Sequence, residues 1–531
     1  MVRQKLKKLI EKATGEKNIH LEVPLNSAHG DYATNVAIKL KKNPKEIVKK
    51  LKSPLFQKIE VADPGFINFY LSEEYILKEL NRVLKGLSLV NLLWKNKKVA
   101  VEFTDPNPFK QFHIGHLYSN IVGETICRLL EVSGAKVKRM NYQGDVGLHV
   151  AKAVWALAKG ESLDEAYAFG NDAFENDPVA KAEIEKLNEK IYARTDPKIN
   201  RIYDDGRVES LAEFEKIYKR LGTKFDFNYF ESKVGKFGQK IVKENLKKGI
   251  FEKSEGAIIF PGEKYGLHKR VFINSKGLPT YEAKELGLAS VKYKNFPYDF
   301  SIIVTGSEIT DYFKVVLEAL KIIYPKLREK TLHIPHGMVR LSTGKMSSRK
   351  GNIIKAQDLL DQVKQSILKR SHNEKVAEQV ALGAVKYSFL RSDISKGTTF
   401  DPEASLSMEG DTGPYLQYTY ARFKSILRKT AISEKKLPAI TKLTPLERRL
   451  VLVLLRFSEI VEDAASLFSP SALVTYLHDT AMTANEFYHS HPVAQEKDES
   501  KKAFRISLSK AVTEILKQGL NILGISAPEK M

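Results

Sequence analysis

The sequence predicts an α/β protein: a doubly wound parallel sheet, with a small α+β module before it and an all-helical bundle after it. Three observations carry this. Residues 98–132 run from an apolar stretch, Val99 to Phe103, through a Pro/Asn loop into a helical pattern. Residues 257–321 alternate strand and helix patterns again. Beyond about residue 393 strand patterning stops and only helical spacing remains. Strands alternating with helices imply parallel pairing through crossovers. A chain of 531 residues is too long for one core, so about three domains are expected.

The first module spans 1–88. A helical pattern, Leu6 to Ala13, leads to turns at Val23-Pro24 and His29-Gly30-Asp31, and helical spacing resumes over Tyr32 to Leu40. Lys45 to Leu51 is another helix, and IEVADPGFINFYLS reads as strand, turn, strand with Asp63-Pro64-Gly65 turning. Lys85 to Leu92 is the linker.

The central domain runs over 96–392. Val99–Phe103 is the first buried strand, and Asp105-Pro106-Asn107-Pro108 stops it. The next helix bears Leu117, Ile121, Ile126, Leu129 and Leu130. KVKRMNYQGDVG gives a second strand and turn. From 150 to 250 the chain is mostly helical and charged, an insertion between the sheet halves. AIIFPG, RVFINSKGLPTYEAKELGLAS and FSIIVTGSEITDYFKVVLEALK resume the alternation, and LHIPHGMVRL is a further strand. The third domain, 393–531, has helical segments at Leu416–Lys429, Pro445–Leu467, Ser471–Phe487 and Phe504–Leu523.

Composition narrows function. The formal charge is +22 and the pI about 9.5, a surplus that suits a polyanionic partner, nucleic acid before membrane. The one cysteine, Cys127, excludes a disulfide framework and a CxxC zinc site. No apolar run reaches the ~18 residues of a transmembrane helix. The basic amphipathic N-terminus, MVRQKLKKLIEKATGEKN, lacks the apolar core of a signal peptide, and a reducing cytoplasm is expected.

Two segments carry chemistry. His113-Ile114-Gly115-His116 opens the helix after the first strand. Histidines three apart share the first turn's face, and Gly115 lets a base or phosphate approach the backbone. Two imidazoles beside a positive helix end stabilise charge developing on phosphate. Far downstream, GMVRLSTGKMSSRKG at 337–351 sets Lys345, Arg349 and Lys350 in a Ser/Gly-rich loop, an electrostatic clamp for a triphosphate. Either segment alone is an ordinary surface feature. In this order they resemble class I aminoacyl-tRNA synthetases, which bind ATP on a Rossmann-type sheet with these motifs. The flanking text is similar to arginyl-tRNA synthetases over nearly the whole chain: HGDYATNVA, EFTDPNPFKQFHIGH, KMSSRKG and GDTGPYLQYTYAR at 410–422.

The resemblance implies the reaction and its residues. His113, His116 and Lys345 are catalytic; Gly115, Met338, Val339, Met346, Ser347, Arg349 and Lys350 join them around ATP, with Met338 and Val339 flanking adenine. Ser348 stands where the usual class I loop has its second lysine. Arginine falls to Glu102, at the end of the first strand, and to Asn107, Tyr281, Glu285 and Glu308. Carboxylates suit a guanidinium because they pair with its fork. Tyr281 and Glu285 are i and i+4 on one helix; the family commonly has aspartate at the second position. Asn141, Gly144 and Asp145 match a polar turn of the family. The first module is implied to touch the tRNA elbow, and the last domain the anticodon, through Tyr415, Tyr418, Tyr420 and Arg422.

The expected activity is ATP-dependent activation of L-arginine to arginyl-adenylate, then transfer to tRNA(Arg) with release of AMP and pyrophosphate. Mg²⁺ accompanies ATP, no zinc is required, and the chain is expected to act as a monomer. Two alternatives stay open: a tRNA-binding protein without catalysis, and another class I specificity such as glutaminyl or cysteinyl, the latter disfavoured by the missing zinc ligands.

Overall fold

The computed structural model describes residues 2–86, 92–342, 354–369, 371–430 and 442–531. They form two compact units. One comprises Trp94–Arg370 with Ser388–Ala404; the other comprises residues up to Leu93, Ser371–Tyr387 and Ser405–Met531.

The first unit is built on a five-stranded sheet: β1 (Lys98–Glu102), β2 (Lys136–Gln143), β3 (Phe227–Phe230), β4 (Phe300–Gly306) and β5 (Thr331–His336). All neighbours are parallel, in the order β5-β4-β1-β2-β3. The chain therefore winds outward from β1 to β3, then crosses back to β4 beside β1. That reversal opens a crevice beyond the carboxyl ends of β1 and β4, where such sheets bind ligands. Val99, Val101, Ile302 and Val304 are buried, as expected for strands covered on both faces.

Helix α1 (Ile114–Val132) returns across the sheet. A Cβ at Gly123 would sit 2.2 Å from the Phe103 ring, so glycine permits this close crossing. Helices Leu148–Ala158, Leu163–Asn176 and Pro178–Ala193 with α2 (Pro197–Leu221) build the insertion around Val150, Val154, Ile184 and Ile191. The segment 150–250 is mostly helical, and within it β3, a short strand, FNYF, joins the sheet edge. Helices α3 (Glu231–Leu246), α4 (Tyr281–Asn295) and α5 (Thr310–Ile323) follow.

Ala257–Phe260 and Arg270–Ile273 do not join the parallel sheet as the alternation suggested. With Glu252–Ser254 they form a separate antiparallel sheet. The connections are too short to cross over, and a parallel pair needs a dozen or more residues between its strands.

In the second unit, strands Tyr32–Thr34, Phe56–Ala62 and Phe66–Leu71 form an antiparallel sheet with the last in the centre. Tyr32–Thr34 is strand where helix was expected; the helix begins at Val36. Helices Gly413–Thr430, Pro445–Leu455, Phe457–Leu467, Pro470–Ser490 and Glu499–Ile522 make the bundle. The first module is not separate from it. Arg448 donates to both oxygens of Asp31, at 2.8 and 2.7 Å, and Arg3 to both oxygens of Asp463, at 2.6 and 2.8 Å. The Tyr32 hydroxyl donates to buried Glu459 at 2.9 Å. Among the described residues no helix is long and apolar enough to cross a membrane.

Candidate active site

The loop from β1 to α1 is strained and heavily braced. Thr104 has φ 81° and Asp105 φ 47°, the first a costly conformation for a β-branched residue. Thr104 N–H donates to Ser119 Oγ at 3.0 Å, and its hydroxyl accepts from Asn120 Nδ2 at 3.0 Å, both from buried positions on α1. Asp105 accepts the Tyr142 N–H at 2.8 Å. The insertion holds the next part: Phe109 packs in its core, and Phe109 N–H donates to Ser210 Oγ of α2 at 2.9 Å.

That bracing sets the two histidines. His113 is the N-cap of α1 and its Nδ1 accepts the Gly115 N–H at 3.1 Å. His116 Nδ1 accepts the His113 N–H at 3.3 Å. The rings stack with centroids 3.7 Å apart. A Cβ at Gly115 would lie 2.9 Å from His113 Cε1, so this fold-back needs glycine. Because both Nδ1 atoms accept, both protons sit on Nε2. Burial, then the cation of Lys110, holds His113 below its ordinary pKa; burial, His113 and Lys110 hold His116 well below. The pair is neutral and presents Nε2–H donors.

These imidazoles share a cavity of about 570 Å³ with Gly115, Glu102, Asn107, Tyr281, Glu285 and Glu308. Glu102 ends β1, and Lys292 Nζ of α4 donates to its Oε2 at 2.6 Å. Glu285 is 5% exposed and accepts no hydrogen bond among the described residues. Burial, then the charge of Glu102, pushes it up to about 8, and the same causes raise Asp105. Asn107 Oδ1 accepts the Gly144 N–H at 3.0 Å, which leaves its amide as a donor. Tyr281 and Glu308 stand exposed at the rim. Asp145 is buried behind the site, bound by Arg207 and Ser232 at 3.0 and 2.7 Å.

Other expected residues fall elsewhere. Met338 is exposed, and Val339 begins a strand paired with Thr398–Phe400; neither lines the cavity. Lys345, Met346, Ser347, Arg349 and Lys350 lie outside the described residues. The chain re-enters beside the histidines: Ile114 N–H donates to Ile354 O at 3.0 Å, and Ala356 N–H to Phe112 O at 2.9 Å.

In the bundle, Tyr420 is 2% exposed, so a stacking role for it is corrected: its ring is core. Tyr415 is half-buried and its hydroxyl accepts from Asn485. Tyr418 is exposed, with the Arg422 guanidinium 4.8 Å from its ring and 5.0 Å from that of Tyr488.

Sequence reasoning missed Asp105, Tyr142 and Tyr312, which line the cavity, and Lys292, which binds Glu102. Asp105 had a signal in its Asp-Pro step; the others come together only through the sheet. Among the described residues no group of His, Cys, Asp or Glu is arranged to hold a metal ion.

The chain is similar to known proteins over its whole length. The family model described as tRNA synthetases class I (R), catalytic domain, matches residues 80–401; the Arginyl tRNA synthetase N terminal domain matches 1–71, and the DALR anticodon binding domain 416–531. The chain is similar to the arginine–tRNA ligase of Fusobacterium nucleatum, 32% identical over 555 aligned positions that cover 97% of this chain and 96% of that one. The ligase of Clostridium kluyveri is likewise 32% identical over 554 positions, with 96% of each covered. A solved structure of Thermus thermophilus arginyl-tRNA synthetase is similar with a TM-score of 0.81 and 25% identity, over 100% of both chains.

Proposed function

The chain belongs to the arginyl-tRNA synthetases, and from that membership we propose how its own residues divide the work. The reaction is that of an arginine–tRNA ligase: ATP, arginine and tRNA are the substrates, and the arginyl group ends on the tRNA. An arginine carboxylate oxygen attacks the ATP α-phosphorus and pyrophosphate leaves. A hydroxyl of the terminal ribose of tRNA(Arg) then attacks the arginyl carbonyl carbon and AMP leaves. Catalysis is positioning plus charge stabilisation, with no covalent enzyme intermediate.

Glu285 and Glu102 receive the guanidinium, and the Asn107 amide receives the substrate's carboxylate. Tyr281 and Glu308 close the rim. His113 and His116 donate Nε2–H bonds to phosphate oxygens, with Gly115 allowing close approach. Lys345, supported by Arg349 and Lys350, supplies the cationic charge. Met346 and Ser347 belong to the same clamp, and Met338 and Val339 border adenine. Mg²⁺ would accompany the nucleotide and offset phosphate charge. Buried Cys127 offers no thiolate set for zinc. The first module meets the tRNA elbow and the bundle meets the anticodon, with Tyr418 and Arg422 the exposed members of the expected set. In this reading the enzyme is a cytoplasmic monomer.

One observation carries the reading: buried acids and a neutral imidazole pair line a single cavity. Pyrophosphate exchange over the amino acids, with and without tRNA(Arg), tests it. Exchange with arginine alone is expected. Preference for another amino acid, or tRNA binding without exchange, overturns it.

A further inference from the structure

Lys292 lies on α4 seven positions after Glu285, two turns along the same face. Its side chain is 1% exposed and it does not line the substrate cavity. It sits behind the cavity wall, in a mostly apolar layer with Leu286, Ile303, Phe313 and Leu320 that Glu285 also borders. From there its ammonium donates to Glu102 Oε2 at 2.6 Å, both side chains being almost fully enclosed.

A buried ion pair of this kind is poorly explained by stability. Desolvating two charges offsets most of their attraction, and an apolar pair of similar volume is often as stable. The pair does something an apolar pair does not. It commits one Glu102 oxygen to the core side and balances that carboxylate's charge inside the protein. Glu285, with no hydrogen bond among the described residues, is left as the acid whose oxygens are free for a ligand. Asp105 has already accepted the Tyr142 N–H.

We propose that Lys292 is a positioning residue for arginine recognition: it clamps Glu102 from behind, so that Glu102 offers the substrate one oxygen while Glu285, which the ammonium does not hydrogen-bond, offers both. This rests on the assignment of the cavity to arginine. A guanidinium has donors enough to bridge both acids; its position between them is then fixed by the clamp. Without Lys292 the Glu102 carboxylate is free to turn, and the guanidinium loses a fixed partner. The loss falls first on arginine affinity and not on turnover at saturation.

The test is arginine-dependent pyrophosphate exchange, with tRNA(Arg) present, by Lys292→Met, Glu102→Gln and the double variant. Lys292→Met is expected to raise the arginine KM about tenfold or more with kcat changed less than about threefold. In the Glu102→Gln background the same substitution is expected to change KM by less than about twofold, because Lys292 acts through Glu102. An equal effect in both backgrounds, or a Lys292→Met KM within about twofold of the parent, overturns the proposal. Should Lys292→Met fail to fold, Glu102→Gln against the double variant decides alone: equal KM values support the clamp, and unequal ones refute it. Glu285→Gln separates the two readings. If it leaves the arginine KM unchanged, the assignment of the cavity fails; if it raises KM while Lys292→Met does not, only the clamp fails.

Discussion

Glu285 is buried without a hydrogen bond among the described residues, so its charge is set by what enters the cavity. In the empty protein burial and the neighbouring Glu102 push it up to about 8, and at neutral pH it holds its proton. A guanidinium favours the ionised form, so the arginine KM should fall as pH rises from about 7 to about 9. The sign for stability is opposite. A carboxyl raised in the folded state keeps a proton the unfolded chain has lost, so this group's contribution declines as pH rises from its ordinary 4.5 to about 8. Glu285→Gln should therefore raise Tm at pH 8 by thermal unfolding while raising the arginine KM by roughly 10²-fold. At this scale much was legible: one short stretch spells Glu102, Asn107, His113 and His116. Lys292 was not, because its partner lies 190 positions away. Tyr420 was misassigned although the sequence held the answer. Residues two apart on a helix point to nearly opposite faces, so the spacing of Tyr418 and Tyr420 already put at most one of them on an open face; the structure exposes Tyr418.

At the scale of elements, α4 carries Tyr281, Glu285 and Lys292, and its place is set by contact with α3. The helices touch backbone to backbone. A Cβ at Gly238 would sit 1.8 Å from the Ala283 carbonyl oxygen, and one at Gly287 2.5 Å from that of Val234. Gly238→Ala must push α4 away, at a cost of about 1–3 kcal/mol. Chemical denaturation should show that loss, and exchange assays a raised arginine KM, because Glu285 moves with the helix while Glu102 stays on β1. Unchanged stability and KM would falsify this account of the crossing. The glycines were visible in the sequence, but their purpose was not, since spacing does not reveal which helix lies opposite. The same blindness hid β3. A four-residue aromatic run is short enough to pass for part of a helix, and only its ladder to β2 makes it a strand. The insertion is more than a scaffold. Through Phe109 and Ser210 it braces the loop that delivers His113.

At the scale of the molecule, the N-terminal module and the C-terminal helices are chain ends that form one compact unit. Arg448 reaches both oxygens of Asp31, and Asp31 also accepts the Leu71 N–H at 2.7 Å, so the pair ties a helix of the bundle to the module's sheet. Arg448→Ala leaves a nearly buried carboxylate without its cation, and should cost roughly 2–4 kcal/mol in the unfolding of this unit. A melting transition unmoved by that change would mean that the module is held by other contacts. Composition reports only how many cores a chain needs. Which segments share a core depends on contacts such as Arg3 with Asp463, whose partners stand at opposite ends of the sequence.

In the proposed site Glu285, a buried acid raised to about 8, becomes the counter-ion of arginine's guanidinium. Calorimetric titration with arginine in buffers of different ionisation enthalpy counts the protons exchanged on binding. The account predicts release of close to one proton per arginine at pH 7, lost in Glu285→Gln. Tight arginine binding with no proton released, or with the same release in that variant, would contradict it.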